Sequence, residues 1–272
     1  MRALLSFTLL LLVTGPALAA NPLDDDTLSG KDRYERCLSL VEQNPSAALS
    51  AATAWRDQGG VAAAEHCQAL ALVALKRYRE AGAKLDQLGH DPNIAAGADR
   101  AELLDQAGNA WLLAGVPSSA DESFTAALTY AAGDRDILFD RARARGARQD
   151  WAGAEKDLTV VLSGDPQRVD VLVLRASARH AQGRKAEARA DIDQALALYQ
   201  DYPDALLERG EMKAETGDNA GALADWQRVI ATQPTGEAAR TAKAHIAELQ
   251  APKPPVTAPP PAKPAKPAAK KK

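Results

Sequence analysis

The stretch that decides the fold runs from Pro203 to Pro234 and reads PDALLERGEMKAETGDNAGALADWQRVIATQP. Its second half places Ala222, Trp226 and Val229 at the i, i+4, i+7 spacing of one helical face. Gly217 precedes this half as a turn residue, and a further run with helical spacing precedes the glycine. The stretch therefore predicts two helices joined by a short turn, with the second helix ending near Pro234.

The same pattern recurs every 34 residues toward the N-terminus, without an insertion, from Ala101 to Gly236. Five columns of similar residues carry the period: Leu104, Leu138, Leu172 and Leu206; Gly108, Ala142, Ala176 and Gly210; Ala120, Ala154, Ala188 and Ala222; Phe124, Leu158, Ile192 and Trp226; and Ala127, Val161, Ala195 and Val229. A single helix pair cannot bury its apolar face alone, so the four units must stack into a solenoid.

A unit of 34 residues with small residues at its eighth and twentieth positions, a large apolar residue at the twenty-fourth and Pro at the thirty-second resembles the tetratricopeptide repeat (TPR). The resemblance covers residues 101–236. Trp111 stands where the family usually has Tyr, whereas Arg145, Arg179 and Lys213 replace it in the other units. The resemblance implies an all-α fold, a right-handed α-solenoid of about six TPR-like helix pairs plus a C-terminal capping helix.

The predicted segments are a signal peptide at 1–20, degenerate TPR-like helix pairs at 21–100, four in-register TPR units at 101–236, a capping helix at 237–250 and a disordered Pro/Ala/Lys tail at 251–272. Arg2, an apolar run too short to span a bilayer and the triplet Ala17-Leu18-Ala19 are typical of a cleaved secretory signal. An uncleaved anchor is the alternative. The Ala-rich composition and the absence of an Asn-x-Ser/Thr sequon favour a bacterial source, and hence the periplasm.

Cys37 and Cys67 are the only cysteines in the chain. An even number of cysteines usually pairs in an oxidising compartment, and these two fall on the first helices of neighbouring pairs. We therefore predict a disulfide between them. A metal or redox site is the alternative, but a metal would need more ligands than the nearby His66, and redox pairs usually have C-x-x-C spacing.

A charged pair also repeats with the 34-residue period. Its members lie sixteen residues apart, one on each helix of a unit, and are Arg141 with Asp157, Arg175 with Asp191 and Arg209 with Asp225. We predict structural salt bridges across each hairpin, because an acid/base array would need a substrate pocket that nothing else in the sequence supplies. No nucleophile elbow, P-loop, dinucleotide-binding glycine pattern or zinc-protease motif occurs. The sequence therefore predicts a non-catalytic protein without a cofactor or metal.

The resemblance also implies where a partner binds, because TPR ligands usually lie along the concave face lined by the first helix of each unit. The family's contact positions carry over to Glu102, Asp105, Asn109, Asp136, Phe139, Arg143, Asp170, Val173, Ser177, Asp204, Leu207 and Glu211. An acid stands at the second position of every unit, although an acid there also complements the dipole at a helix start. Asp105 and Asp136 replace the Lys and Arg with which chaperone-tail binders hold a carboxylate, so these positions favour a basic or mixed apolar-basic peptide.

The formal net charge is −3, yet the tail at 251–272 carries six lysines and no acid. The remainder is therefore acidic and a poor partner for nucleic acid. The basic tail could contact anionic envelope components such as peptidoglycan or lipid headgroups, or serve as a disordered end without a ligand. Together these features predict a periplasmic scaffold or adaptor for a protein or peptide partner. The alternative is a structural subunit for envelope assembly or self-association.

Overall fold

A computed structural model describes residues 21–23, 28–94 and 96–251. The predicted signal peptide and, apart from Ala251, the predicted tail lie outside the described residues. The described residues form thirteen helices and no strand, which confirms the all-α prediction. The helices are α1 (Gly30–Gln43), α2 (Pro45–Asp57), α3 (Val61–Ala74), α4 (Tyr78–Gly89), α5 (Gly97–Leu113), α6 (Pro117–Tyr130), α7 (Arg135–Ala147), α8 (Trp151–Gly164), α9 (Val169–Ala181), α10 (Lys185–Leu198), α11 (Pro203–Glu215), α12 (Asn219–Thr232) and α13 (Glu237–Gln250). Among the described helices, none is both long and apolar enough to cross a lipid bilayer.

The chain divides into two compact units on either side of the junction between Asp191 and Ile192. In the first unit every helix from α1 to α8 packs against the next, and α1·α3, α5·α7 and α7·α9 pack as well. In the second unit α11 packs against α12, and α13 packs against both. Each helix pair thus buries its apolar side against its neighbours. We call the surface formed by α1, α3, α5, α7 and α9 the first-helix face.

The small and large residue columns are matched in size within each pair. A Cβ added to Gly108 would lie 2.5 Å from the ring of buried Phe124, and one added to Gly210 would lie 2.3 Å from Nε1 of Trp226. The pair α7–α8 instead places Ala142 in the first column and the smaller Leu158 in the second. Glycine therefore stands where the opposing side chain is aromatic, because protein cores are packed too densely to hold both a methyl group and a ring.

The turn inside each regular pair requires a left-handed backbone. Gly115, Gly183 and Gly217 have φ values of 69°, 77° and 85°, which glycine adopts without strain. Gln149 occupies the equivalent position between α7 and α8 with a φ of 63°. This turn therefore carries a conformational cost that the three glycine turns lack.

A disulfide joins the two most N-terminal helix pairs. Cys37 on α1 and Cys67 on α3 are bonded, with their Cα atoms 6.3 Å apart, and both residues are fully buried. They belong to one apolar cluster that includes Trp55 of α2. Among the described residues no cysteine is free. The bond therefore links the helices whose repeat pattern is weakest.

The charged pairs of the repeat lie face to face across their hairpins. Arg175 donates two hydrogen bonds to Asp191, at 3.0 and 2.7 Å, and Asp191 is only 4% exposed. Arg141 makes the same two-bond contact with Asp157, at 2.9 and 2.8 Å. Arg209 and Asp225 form the third pair, with bonds of 2.8 and 2.7 Å.

Each buried aspartate also accepts from a second cation, which stands at the position where the repeat usually has Tyr. Arg145 donates to Asp157, Arg179 to Asp191 and Lys213 to Asp225, at 2.8, 2.7 and 2.8 Å. Arg179 also donates to Glu155 of α8 at 2.9 Å, so it connects consecutive pairs. Two cations around one carboxylate compensate for its removal from water.

The first regular pair, α5–α6, lacks this arrangement and instead uses uncharged donors around a carboxylate of α4. Ala107 and Ser123 stand at the positions of the arginine and the aspartate. Ser123 instead donates to Asp86 of α4 at 2.7 Å, and the Trp111 indole donates to the same carboxylate at 2.6 Å. Asp86 therefore joins three helices without a cationic partner among these contacts.

Candidate partner-binding face

An acidic cluster lies where α5 meets α7 on the first-helix face. Asn109 Nδ2 donates to the backbone oxygen of Asp105 at 3.1 Å and reaches Oδ2 of Asp140 at 3.3 Å. Oδ1 of Asp105 is buried and has no hydrogen-bond partner among the described residues. This carboxyl group is therefore poorly compensated in its charged form.

The charge around Asp105 changes its protonation. Its pKa is raised to about 6, first by burial and then by the negative charges of Asp140, Asp134, Asp136 and Glu102. Three of these residues, Glu102, Asp105 and Asp136, belong to the predicted contact set, so the structure brings them into one electrostatic environment. A cation placed here would stabilise the ionised form of Asp105.

The predicted positions on α7 and α9 already hold a cation from the chain itself. The Arg168 guanidinium lies 4.7 Å from the ring centroid of Phe139 and donates to Asp170 at 2.9 Å. It also lies 3.5 Å from Asp136, whose side chain remains 92% exposed. An aromatic ring with flanking carboxylates therefore binds a guanidinium on this face.

The remaining predicted residues of α7 and α9 differ in what they can offer a partner. Arg143 is exposed but pairs with Asp140 at 2.9 Å, which neutralises part of the acidic cluster. Ser177 is half-buried. Val173 is only 5% exposed, so little of its side chain is available to a partner.

In the second unit, the predicted residues of α11 contact other parts of that unit. Nε2 of His245 on α13 lies 2.9 Å from Glu211, and its ring stacks on Trp226 with centroids 5.1 Å apart. The backbone oxygen of Leu207 accepts from the Trp226 indole at 3.3 Å. Burial and then the charge of Glu237 raise the pKa of Asp204. The closing helix α13 thus already contacts Glu211, one of the predicted partner-binding residues of α11.

A pocket that the sequence did not reveal opens between α1, α3 and α5. We call it the Tyr34 pocket; it measures about 280 Å³ and is lined by Tyr34, Ala62, Ala63, His66, Leu88, Ile94, Asp99, Glu102 and Leu103. Glu102 is the only member of the predicted contact set in its wall. The other polar members lie outside the regular repeat columns, so the period gave no signal for them. From the sequence, His66 was predicted to have too few neighbouring ligands to bind a metal, and no other role was predicted for it.

The described residues contain no group of three or more His, Cys, Asp or Glu arranged to hold a metal ion. The first-helix face presents carboxylates, the Phe139 and Tyr34 rings and apolar surface. These are the groups that bind cationic side chains in proteins.

The architecture of the chain is similar to that of several solved TPR structures. A TPR protein from Parabacteroides merdae has a TM-score of 0.56 at 17% identity, with 85% of this chain and 85% of that chain covered. YrrB, described as a TPR protein with an unusual peptide-binding site, has a TM-score of 0.53 at 17% identity, covering 78% of this chain and 99% of its own. MamA from Desulfovibrio magneticus RS-1 has a TM-score of 0.54 at 14% identity, covering 64% and 94%.

No protein-family profile matches the chain, and no curated protein matches its sequence. At these identities the structural similarity establishes the fold alone. The chain has the fold of a TPR protein, with thirteen described helices in sequentially packed pairs, as the 34-residue period predicted.

Proposed function

We propose that this chain is a non-catalytic scaffold of the bacterial cell envelope that binds a basic or mixed apolar-basic peptide segment of a partner protein on its first-helix face. The acidic cluster around Asp105 carries the proposal. Burial, followed by repulsion from the neighbouring carboxylates, raises the pKa of Asp105 to about 6. A bound cation would relieve that repulsion, so the cluster favours cationic over acidic ligands.

Two further observations support a peptide as the ligand. The contact of Arg168 with Phe139 and Asp170 illustrates, within the chain, how an arginine of a partner could bind the same kind of surface. The fold is also that of YrrB, a TPR protein described as having a peptide-binding site. Stacked helix pairs provide the extended surface that repeat proteins use for such ligands.

The envelope location is part of the proposal and rests on the signal-like residues 1–20 and on the Cys37–Cys67 bond, because disulfides persist in exported proteins. Expression in a bacterium followed by fractionation tests it. We expect the protein in the periplasmic fraction with an N-terminus at Ala20 or Asn21. A protein that stays in the cytoplasm with Met1 intact contradicts the location and leaves the binding proposal standing.

A peptide array tests the binding. Capped nonapeptides of equal apolar content, with net charges from strongly negative to strongly positive, are probed with the purified protein. We expect binding to increase with positive charge, and the Asp105→Asn/Asp136→Asn variant to lose most of that preference. Glu122→Gln, an exposed change on α6, is the matched control and should behave as the unmodified protein does. Equal binding of acidic and basic peptides contradicts the proposal.

The alternative function is that of a structural subunit. Two adjacent exposed apolar side chains support this alternative. Leu198 and Tyr199 at the end of α10 are 42% and 55% exposed. Contiguous exposed apolar surface marks many of the sites where protein chains associate. Light scattering after size exclusion distinguishes the two functions. A stable homo-oligomer that excludes basic peptides supports assembly, whereas a monomer that binds them supports the scaffold.

The basic tail is proposed to contact anionic envelope material, since it carries six lysines and no acid. Pull-down from envelope extract with the full chain and with a chain lacking residues 251–272 tests this contact. We expect the truncated chain to retain peptide binding and to lose sedimentation with peptidoglycan or anionic vesicles. Equal sedimentation of the two chains contradicts a role for the tail.

A further inference from the structure

We propose that the Tyr34 pocket is the anchor site for one long cationic side chain, lysine or arginine, of the bound peptide. This inference rests on the proposed function and names the part of the first-helix face that gives it side-chain specificity. Seven of the nine lining residues belong to the degenerate segment 21–100, where the sequence predicted no contact residues. Its wall includes Glu102 at the start of α5, so it adjoins the acidic cluster around Asp105.

The pocket is large enough for one extended side chain. It measures about 280 Å³, close to the lower end of the about 300–1,000 Å³ that pockets for drug-sized ligands occupy. A lysine or arginine side chain entering from a peptide on the first-helix face fits within it and leaves room for water.

The chemistry of the walls is divided in the way that a lysine or arginine requires. Ala63, Ile94 and Leu103 contribute apolar surface, along which the methylene stem of a cationic side chain can lie. Asp99 and Glu102 add two carboxylates to the same wall, both on α5, and both residues are exposed at the pocket rim. An uncharged apolar side chain would leave these carboxylates without a partner from the ligand, and an acidic one would be repelled.

A chain of hydrogen bonds fixes one of these carboxylates in place. Tyr34 Oη lies 2.7 Å from His66 Nδ1, and His66 Nε2 lies 2.7 Å from Gln106 Oε1. The amide group of Gln106 donates in turn to Glu102 Oε1 at 3.2 Å. Because an amide oxygen only accepts, Nε2 of His66 donates to Gln106, and in the neutral imidazole Nδ1 then accepts from the Tyr34 hydroxyl.

This direction of bonding makes every donor point toward Glu102. Glu102 Oε1 therefore accepts the last hydrogen bond of the chain. Burial, followed by the charge of Glu102, raises the pKa of Tyr34, so its hydroxyl remains a neutral donor. Three helices thereby hold one carboxylate oxygen ready for a cation before the ligand arrives.

The disulfide holds the two helices that carry the start of this chain. Cys37 follows Tyr34 by one turn of α1, and Cys67 follows His66 directly on α3. The Tyr34 and His66 rings also stack, with centroids 5.9 Å apart. A wall fixed in this way loses less entropy when a ligand binds, which raises affinity.

The experiment compares three capped heptapeptides that differ only at the central residue, which is lysine, arginine or norleucine, with leucine on either side and alanine elsewhere. Fluorescence anisotropy with the full chain measures each dissociation constant. We expect lysine and arginine to bind about fivefold more tightly than norleucine, the effect of about 1 kcal/mol from a partly exposed ion pair. In the Asp99→Asn/Glu102→Gln variant this preference should fall below about twofold.

Two more variants distinguish the pocket from a general effect of charge. Glu122→Gln on α6 removes one exposed carboxylate elsewhere and should keep the full preference. Ala62→Phe, at an exposed position of the pocket wall, should weaken all three peptides together by filling the pocket. Thermal melts verify that each variant is folded.

The outcomes separate this inference from the proposed function. If the lysine preference survives Asp99→Asn/Glu102→Gln but is lost in Asp105→Asn/Asp136→Asn, peptides bind the face without using the pocket, and the inference is overturned alone. If none of the three peptides binds the unmodified protein while basic nonapeptides bind on the array, the inference is again overturned alone. If neither peptide set binds, both proposals are contradicted.

Discussion

At the scale of single residues, the ionised form of Asp105 destabilises the folded state. Its pKa rises from 3.8 to about 6 in the folded chain, so the folded state binds this proton more tightly than the unfolded state. The contribution of Asp105 to stability is therefore present below about pH 4 and lost as the pH rises through about 6. We predict that Asp105→Asn raises the free energy of unfolding by about 1 kcal/mol near neutral pH, because partial exposure screens much of the shift.

Urea unfolding of the Asp105→Asn variant and the unmodified protein, at about pH 4 and about pH 7.5, measures this difference. The gain should appear at the higher pH and shrink toward zero at the lower. Saturation with a basic peptide should also lower the pKa of Asp105, visible in the carboxyl carbon shift by NMR. A variant that is less stable at the higher pH contradicts the assignment.

Gln149 is the second residue with a cost of its own. Its φ of 63° places a side chain in a turn where Gly115, Gly183 and Gly217 stand in the other regular pairs. We predict that Gln149→Gly raises the free energy of unfolding by about 1 kcal/mol, because glycine adopts this φ without strain. Gln149→Ala is the matched control and should give no such gain, since it keeps the Cβ. Thermal unfolding decides between them, and equal melting temperatures for the two variants refute the strain.

At the scale of the helix pair, the buried aspartates hold each hairpin together. Asp191 is 4% exposed and accepts from Arg175 and Arg179. We predict that Asp191→Asn lowers the free energy of unfolding by about 3 kcal/mol, because two cations lose their buried partner. The preference for lysine peptides should persist, since the Tyr34 pocket lies on other helices. Melting curves and the anisotropy assay measure both effects, with Glu122→Gln as the control. Lost binding at unchanged stability would reverse the assignment.

The helix pairs could be predicted from sequence because the same packing contact recurs in each repeat and therefore leaves a column of similar residues. Gly108 and Gly210 face Phe124 and Trp226, and this pairing returns with the period. The residue that supplies the second cation on each buried aspartate was visible in the sequence, because Arg or Lys replaces the Tyr that is usual in the family. The contacts of this cation could not be predicted from the sequence, because Arg179 reaches Asp191 on the following helix and Glu155 on the preceding one.

The binding face could be predicted less completely, since its contacts join residues from different columns. Arg168 lies between α8 and α9, outside the helical pattern, yet it covers Phe139 and Asp170. His66 and Gln106 are 40 residues apart, and no period connects them. Family positions therefore located the acidic side of the face. The family positions could not show which residues of the face already form contacts with other side chains of the same chain.

At the scale of the whole molecule, the two units differ in how their order is maintained. The second unit has regular repeat columns and a closing helix, whereas the first begins with degenerate pairs joined by Cys37–Cys67. A bond that closes a loop of about 30 residues contributes about 3–4 kcal/mol by restricting the unfolded chain. The covalent link thus stands where periodic packing is weakest, and it adjoins the Tyr34 pocket.

We predict that Cys37→Ser/Cys67→Ser destabilises α1 to α4 by about 3 kcal/mol and weakens lysine-peptide binding, while α11 to α13 keep their protection against hydrogen exchange. The effect should be local because the helices of the second unit pack among themselves. Reducing the unmodified protein should reproduce the loss, and reductant should leave the double variant unchanged. Mass spectrometry of the exported protein first measures whether the two cysteines are bonded. Two free thiols there, or uniform destabilisation across both units, would contradict a local role for the bond.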